Sequence, residues 1–270
     1  MLYLAQMNRK FTNKVFAKVT SFSIINSILL KNSKAELSDQ LSRFANLNLD
    51  RDKAVDKLNN LFLRLFNCKY SENIGMWSEH LVIMAAISDS EFKVDNILEI
   101  GTFDGKTAQV LSNLFPESKI TTIDLPSTTI NQKQIYNYAY KENNLEIARS
   151  LLLEKCDNVE FKALNSLSLV YENSKYDLIW VDGAHGYPTV AIDLINALRL
   201  ISPRGIVMCD DVHKFTKSND SEYSSVAAFE TLEELRKAEL IDFKLFLKRI
   251  NKAYNYPKSR KKYVGVFQKK

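Results

Sequence analysis

Cysteine, glycine, proline and histidine are all scarce in this chain of 270 residues, and each shortage excludes something. Three cysteines, Cys68, Cys156 and Cys209, are too few and too widely spaced for a disulfide framework or a zinc knuckle, so a reducing, cytoplasmic setting is expected. Long apolar runs are missing as well. The best, residues 22–30, is broken by Ser and Asn and falls short of the roughly 18 residues of a membrane span. The first ten residues lack the apolar block of an export signal. No internal repeat with a period of roughly 20–50 residues is present, which excludes a solenoid. What remains is globular: 46% hydrophobic and 26% charged residues can bury a core, and the length suits one large domain or a domain with a subdomain.

The net charge of +5 is unevenly spread. Ten Lys and Arg and no acid lie between Lys244 and Lys270, so the first 243 residues carry 5 − 10 = −5. Such a segment can serve phosphate, nucleic acid or anionic lipid. Residues 263–267 alternate like a strand, which favours a solvated last strand and a frayed terminus.

Five of the seven glycines, Gly101, Gly105, Gly183, Gly186 and Gly205, fall between 101 and 205, and every proline lies at or after Pro116. The first 95 residues, with Gly75 alone as breaker, therefore read as helical. Asp50 can cap a helix whose apolar stripe is Val55, Leu58, Phe62 and Leu65, widened by Leu61 and Phe66, and a second helix spans about 77–87. Residues 1–94 are expected to form a helical subdomain: a lid over the acceptor, a surface for homo-oligomer contacts, or plain packing helices. Residues 95–270 alternate short apolar runs (96–100, 119–124, 159–163, 176–182, 205–211) with helical stretches near 106–115, 130–154, 188–201 and 221–239. That pattern predicts a parallel sheet covered on both faces. Two further runs, 243–247 and 263–267, have no helix-length segment between them and predict an antiparallel edge hairpin. The expected fold is α/β, a Rossmann-like doubly wound, mostly parallel seven-stranded sheet.

Ligands of such sheets sit at the carboxyl ends of the strands. The first strand ends Glu99-Ile100-Gly101-Thr102-Phe103-Asp104-Gly105-Lys106-Thr107. A dinucleotide fingerprint would need glycine where Phe103 and Lys106 stand, and a phosphate loop would need a glycine earlier. An acid two residues before a glycine turn, with a second glycine at the helix start, suits a cationic ligand group instead. Asp124 ends the second strand, nineteen residues past Gly105. Asn165-Ser166 follow the third.

These strand ends, across about 75–215, resemble the class I S-adenosylmethionine-dependent methyltransferases. The resemblance implies cofactor contacts from Glu99, Gly101, Thr102, Phe103, Gly105 and Thr107, from Asp124 and Leu125, from Asn165 and Ser166 near adenine, and from Asp182. The fourth strand runs into Asp182-Gly183-Ala184-His185-Gly186-Tyr187 and the fifth into Asp210-Asp211. That pairing looks like the metal-dependent branch that includes catechol-type, sugar and macrolide O-methyltransferases. There an acid ending strand four and a pair ending strand five hold a divalent ion, and a base lies three residues after the first acid. The resemblance thus implies Asp182, Asp210 and Asp211 as ligands of Mg²⁺ or Mn²⁺ and His185 as base, with His213 as a second candidate. The chain departs from the catechol-type pattern in having Asp-Asp for Asp-Asn and His for Lys. Three converging carboxylates would repel without a cation.

The expected activity is methyl transfer to a hydroxyl of a small molecule such as a sugar or secondary metabolite. Alternatives are a metal-independent N- or O-methyltransferase, a nucleic-acid methyltransferase using the basic tail, and a non-catalytic subunit. The Pro-Pro-aromatic signature of base-amino methylation is absent after strand four.

Overall fold

The computed structural model describes residues 23–72, 76–126, 145–215, 225–250 and 261–270. Three helices come first: α1 (Ser23–Ala45), α2 (Arg51–Phe66) and α3 (Glu79–Ser88). Then follow β1 (Asn96–Ile100), α4 (Lys106–Leu114), β2 (Lys119–Asp124), α5 (Leu145–Leu153), β3 (Val159–Ala163), a 3₁₀ turn (Ser166–Tyr171), β4 (Tyr176–Val181) and α6 (Thr189–Leu200). The chain closes with β5 (Ile201–Val212), α7 (Ala227–Lys237), β6 (Ile241–Leu247) and β7 (Tyr263–Lys269). Of the helix expected over 130–154, residues 130–144 lie outside the described residues, as do 221–224 at the start of the helix expected near 221–239 and Lys258 and Arg260 of the basic segment.

The sheet has seven strands in the order β3-β2-β1-β4-β5-β7-β6. β1 to β5 are parallel, while β7 runs antiparallel between β5 and β6. Strand order reverses between β1 and β4, so the loops after those two strands diverge and leave a crevice.

Side chains alternate between two apolar layers, as a two-residue strand period requires. Ile97, Leu178, Trp180, Ile206 and Met208 point to one face, and Leu98, Ile179, Val181, Val207 and Cys209 to the other. The first layer is covered by α2, α3 and α4, the second by α6 and α7. α3 is apolar nearly all round and is buried from Glu79 to Ile87, as a helix without a polar face must be. Asp50 caps α2 as expected, accepting from the Lys53 amide at 3.0 Å, and Leu58, Leu61 and Phe62 turn inward. The helices expected to form an N-terminal subdomain share one apolar cluster with the sheet. No described helix is long and apolar enough to cross a membrane.

Candidate active site

At the end of β1 the chain turns through Gly101, whose φ of +102° only glycine adopts without strain. A Cβ there would lie 2.3 Å from the carbonyl oxygen of Asp182, so the β1 and β4 loops touch backbone to backbone. The Asp182 amide also donates to the Ile100 carbonyl at 2.8 Å. Glu99 is fully buried just behind this turn. Its Oε2 accepts from the Thr122 hydroxyl at 2.5 Å, and Thr122 lies 2.6 Å from the Thr102 hydroxyl. Its Oε1 has no partner among the described residues, and burial pushes the carboxyl up to about 8.

Asp124 is placed by the backbone. Its Oδ2 accepts from the Phe103 amide at 2.7 Å and its Oδ1 from the Leu125 amide at 2.8 Å. Phe103 reaches that position with φ +48°, and Gly105 (φ +79°) caps α4, on whose first turn Thr107 is half-buried. Arg149 of α5 lies 3.6 Å from Asp124, donates to the Phe103 carbonyl at 3.3 Å and stacks on Phe161 with its guanidinium 4.2 Å from the ring centre. Asn165 is exposed, and its side-chain oxygen accepts from the Leu167 amide at 3.0 Å to cap the 3₁₀ turn. Ser166, the first residue of that turn, is half-buried and lies close enough to the buried Asp193 carboxyl to favour its ionised form.

The three acids expected to hold a metal do meet. Adjacent strand residues normally point to opposite faces. Between Cys209 and Val212 β5 advances three residues while β7 advances two (265 to 263), so β5 carries one extra residue, and Asp211 takes φ +49°. Bulges of this kind redirect side chains beside active sites. Both Asp210 and Asp211 thereby face one cation, the Lys248 ammonium, which contacts Asp210 and lies 2.5 Å from Asp211; Lys262 contacts Asp211 as well. Among the described residues no His, Cys, Asp and Glu group is arranged to hold a metal ion. Of the three acids expected to hold Mg²⁺ or Mn²⁺, Asp210 and Asp211 are engaged by ammonium groups.

Burial works against the charge on Asp210 and Asp211, yet Lys248, joined by Lys262 at Asp211, holds both below the usual carboxylate range. Lys248 is likewise penalised by burial and held above its ordinary value by the two acids. Asp182 is pushed well up, by burial first and by Asp210 second. His185 Nε2 lies 3.7 Å from Asp182 Oδ1, and burial lowers the imidazole, leaving it neutral at pH 7. His213 is buried one residue past the last β5–β7 pair, Val212–Tyr263.

Several residues around this cluster have no site role assigned from sequence. Gln40 of α1 accepts from the Leu247 amide at 2.8 Å and donates to its carbonyl at 3.0 Å, fixing the end of edge strand β6. Glu79 is fully buried, pairs with Arg51 at 2.5 and 3.0 Å, and donates its amide to the Lys248 carbonyl at 3.0 Å. His80 stacks on Trp180 at 4.8 Å, shares a 2.7 Å hydrogen bond with Ser78, and is lowered to about 4 by burial. The basic segment expected to be a solvated edge is in part interior: Lys248, Lys261 and Lys262 pair with Asp210, Glu36 and Asp211 at side-chain exposures of 13%, 18% and 26%.

A mostly parallel sheet that switches order between β1 and β4 places its ligand crevice beside the turn at Gly101. Residues 98–212, somewhat under half of the chain, match a family model described as a methyltransferase domain. Two solved structures share the fold. One is cofactor-bound Rv0187 from MTB, at 16% identity over 94% of this chain and 95% of that one, with a TM-score of 0.51. The other is the SAH-bound methyltransferase PaMTH1 of Podospora anserina, at 17% identity over 87% and 96%, also with a TM-score of 0.51. No curated protein matches the chain.

Proposed function

We propose that the protein moves the methyl group of S-adenosylmethionine to a hydroxyl oxygen of a small molecule, such as a sugar or another secondary-metabolite alcohol, with His185 as the base. The observation that carries this reading is a neutral, mostly buried imidazole 3.7 Å from Asp182, directly beside the β1 turn. Glu99 Oε1, buried and unpartnered, fits the ammonium of the cofactor's methionine end, and Asp124 fits the ribose hydroxyls. S-adenosylmethionine, when bound, supplies an activated methyl on a sulfonium whose leaving group is a neutral thioether.

The chain's own residues then have three tasks. The two loops that meet at Gly101 and Asp182 align the acceptor oxygen and exclude water. His185 takes the hydroxyl proton as the oxygen attacks, which a neutral imidazole can do near pH 7. Asp182 Oδ1, 3.7 Å from Nε2, lies within reach of the ring and helps to orient it. Divalent assistance, expected from the resemblance, has little support here, because Asp210 and Asp211 already meet ammonium groups. A nucleic-acid acceptor has less support than a small molecule, since Lys248, Lys261 and Lys262 are used in internal pairs.

The test is transfer of labelled methyl to panels of sugar and phenolic alcohols, with RNA and DNA alongside. Labelled small-molecule ether, with kcat reduced roughly 10²–10⁴-fold in His185→Ala and product-cofactor affinity kept, is the expected result. Labelled nucleic acid, with no alcohol labelled, would overturn it.

A further inference from the structure

We infer that Lys248 occupies the place of a divalent cation in this enzyme, so that methyl transfer proceeds on a resident ammonium and needs no bound metal. The inference rests on the O-methyl transfer reading for its purpose and on independent geometry for its substance.

Lys248 is anchored on its backbone and beside it. Its amide donates to the Lys262 carbonyl at 2.9 Å, its carbonyl accepts from the Glu79 amide at 3.0 Å, and Gln40 clamps the preceding residue by both backbone groups. Glu79 is itself locked by Arg51. A lysine on a free edge would swing through solvent, whereas this one is delivered to the acids by three separate elements.

The charges balance within the cluster. Asp210 and Asp211 contribute two negative charges, and Lys248 and Lys262, in direct contact with them, two positive ones. A hard divalent ion binds through carboxylates whose charge is available to it. Here it would have to expel a buried ammonium and leave that charge without a partner, which is strongly unfavourable.

The substitution also bears on the acceptor. A divalent ion can chelate two neighbouring oxygens of one substrate. An ammonium has three donors, and Lys248 directs two at Asp210 and Asp211, leaving one for a single acceptor oxygen. The acceptor class is thus an alcohol recognised through one hydroxyl, and a vicinal diol holds no advantage over it.

The experiment is titration of chelator-treated protein with Mn²⁺ alone, with free Mn²⁺ read by electron paramagnetic resonance. Wild type should bind none up to about 1 mM, a range in which an open site of three carboxylates would fill. Lys248→Ala, checked for folding by circular dichroism, should gain about one Mn²⁺ per chain, and Lys248→Arg should not. One tightly held Mn²⁺ in wild type, lost in Asp211→Asn, would overturn the inference, as would a folded Lys248→Ala that gains none. If Lys248→Ala does not fold, the wild-type arm decides alone. Calorimetric binding of S-adenosylhomocysteine in the same samples keeps a failure of the methyltransferase reading distinguishable from a failure of this one.

Discussion

Glu99 and Asp211 are both buried acids at strand ends of one sheet, yet the protein treats them in opposite ways. Glu99 is given hydroxyl neighbours and, among the described residues, no cation, so burial carries it up to about 8 and one oxygen has no partner there. Asp211 is given two ammonium groups, which outweigh its burial and hold it ionised. On the proposed function, a cationic ligand completes the first arrangement. The second is complete already. A cluster of buried acids therefore need not mark a metal position.

The largest expected effect comes from breaking the complete set. Lys248→Met leaves Asp210 and Asp211 short of a buried partner and should cost about 3–5 kcal/mol in chemical denaturation, with part of the loss recovered on adding Mn²⁺. Gly101→Ala strikes where the two sets touch. Its Cβ would meet the Asp182 carbonyl, and the added strain should lower stability by about 3 kcal/mol in the same assay and remove cofactor binding.

Asp124→Ala sharpens the comparison on the ligand side. It should weaken S-adenosylhomocysteine binding by roughly 10–100-fold in calorimetry, the scale of lost hydrogen bonds to a charged group.

The smallest effect is in pH. Between its ordinary value of 4.5 and about 8, Glu99 is protonated in the folded chain and ionised in the unfolded one, so the folded state holds more protons and stability falls as pH rises. The slope from this group is at most about 1.4 kcal/mol per pH unit and should vanish in Glu99→Gln. Asp211 works in the other direction, its contribution being lost only as pH drops below its ordinary 3.8. Cofactor binding near pH 7 should release a proton from Glu99, seen as a buffer-dependent binding enthalpy.

Strands β1, β2 and β3 have the bounds read from sequence, because near-continuous apolar runs flanked by turn residues leave few alternatives. β5 begins four residues earlier than expected, since Ile201 pairs with Tyr176 across a register shift that no local pattern announces. The acids at the strand ends were legible because each follows an apolar run directly. Lys248 was not, being 37 and 38 residues from its partners and set in a stretch whose many positive charges suggested solvent. A signal was nevertheless available. A hairpin of 243–247 with 263–267, laid antiparallel on β5, brings residues 248 and 262 to the carboxyl end of β5, where Asp210 and Asp211 stand. Arg149 was hidden differently, in a helix whose apolar spacing says nothing of Asp124.

The most direct measurement is calorimetric titration of extensively chelated protein with S-adenosylhomocysteine, repeated with Asp124→Ala. The account predicts one site per chain, unchanged when Mg²⁺ is restored and weakened in the variant. Absence of binding in the chelated wild type, or equal binding in Asp124→Ala, would contradict it.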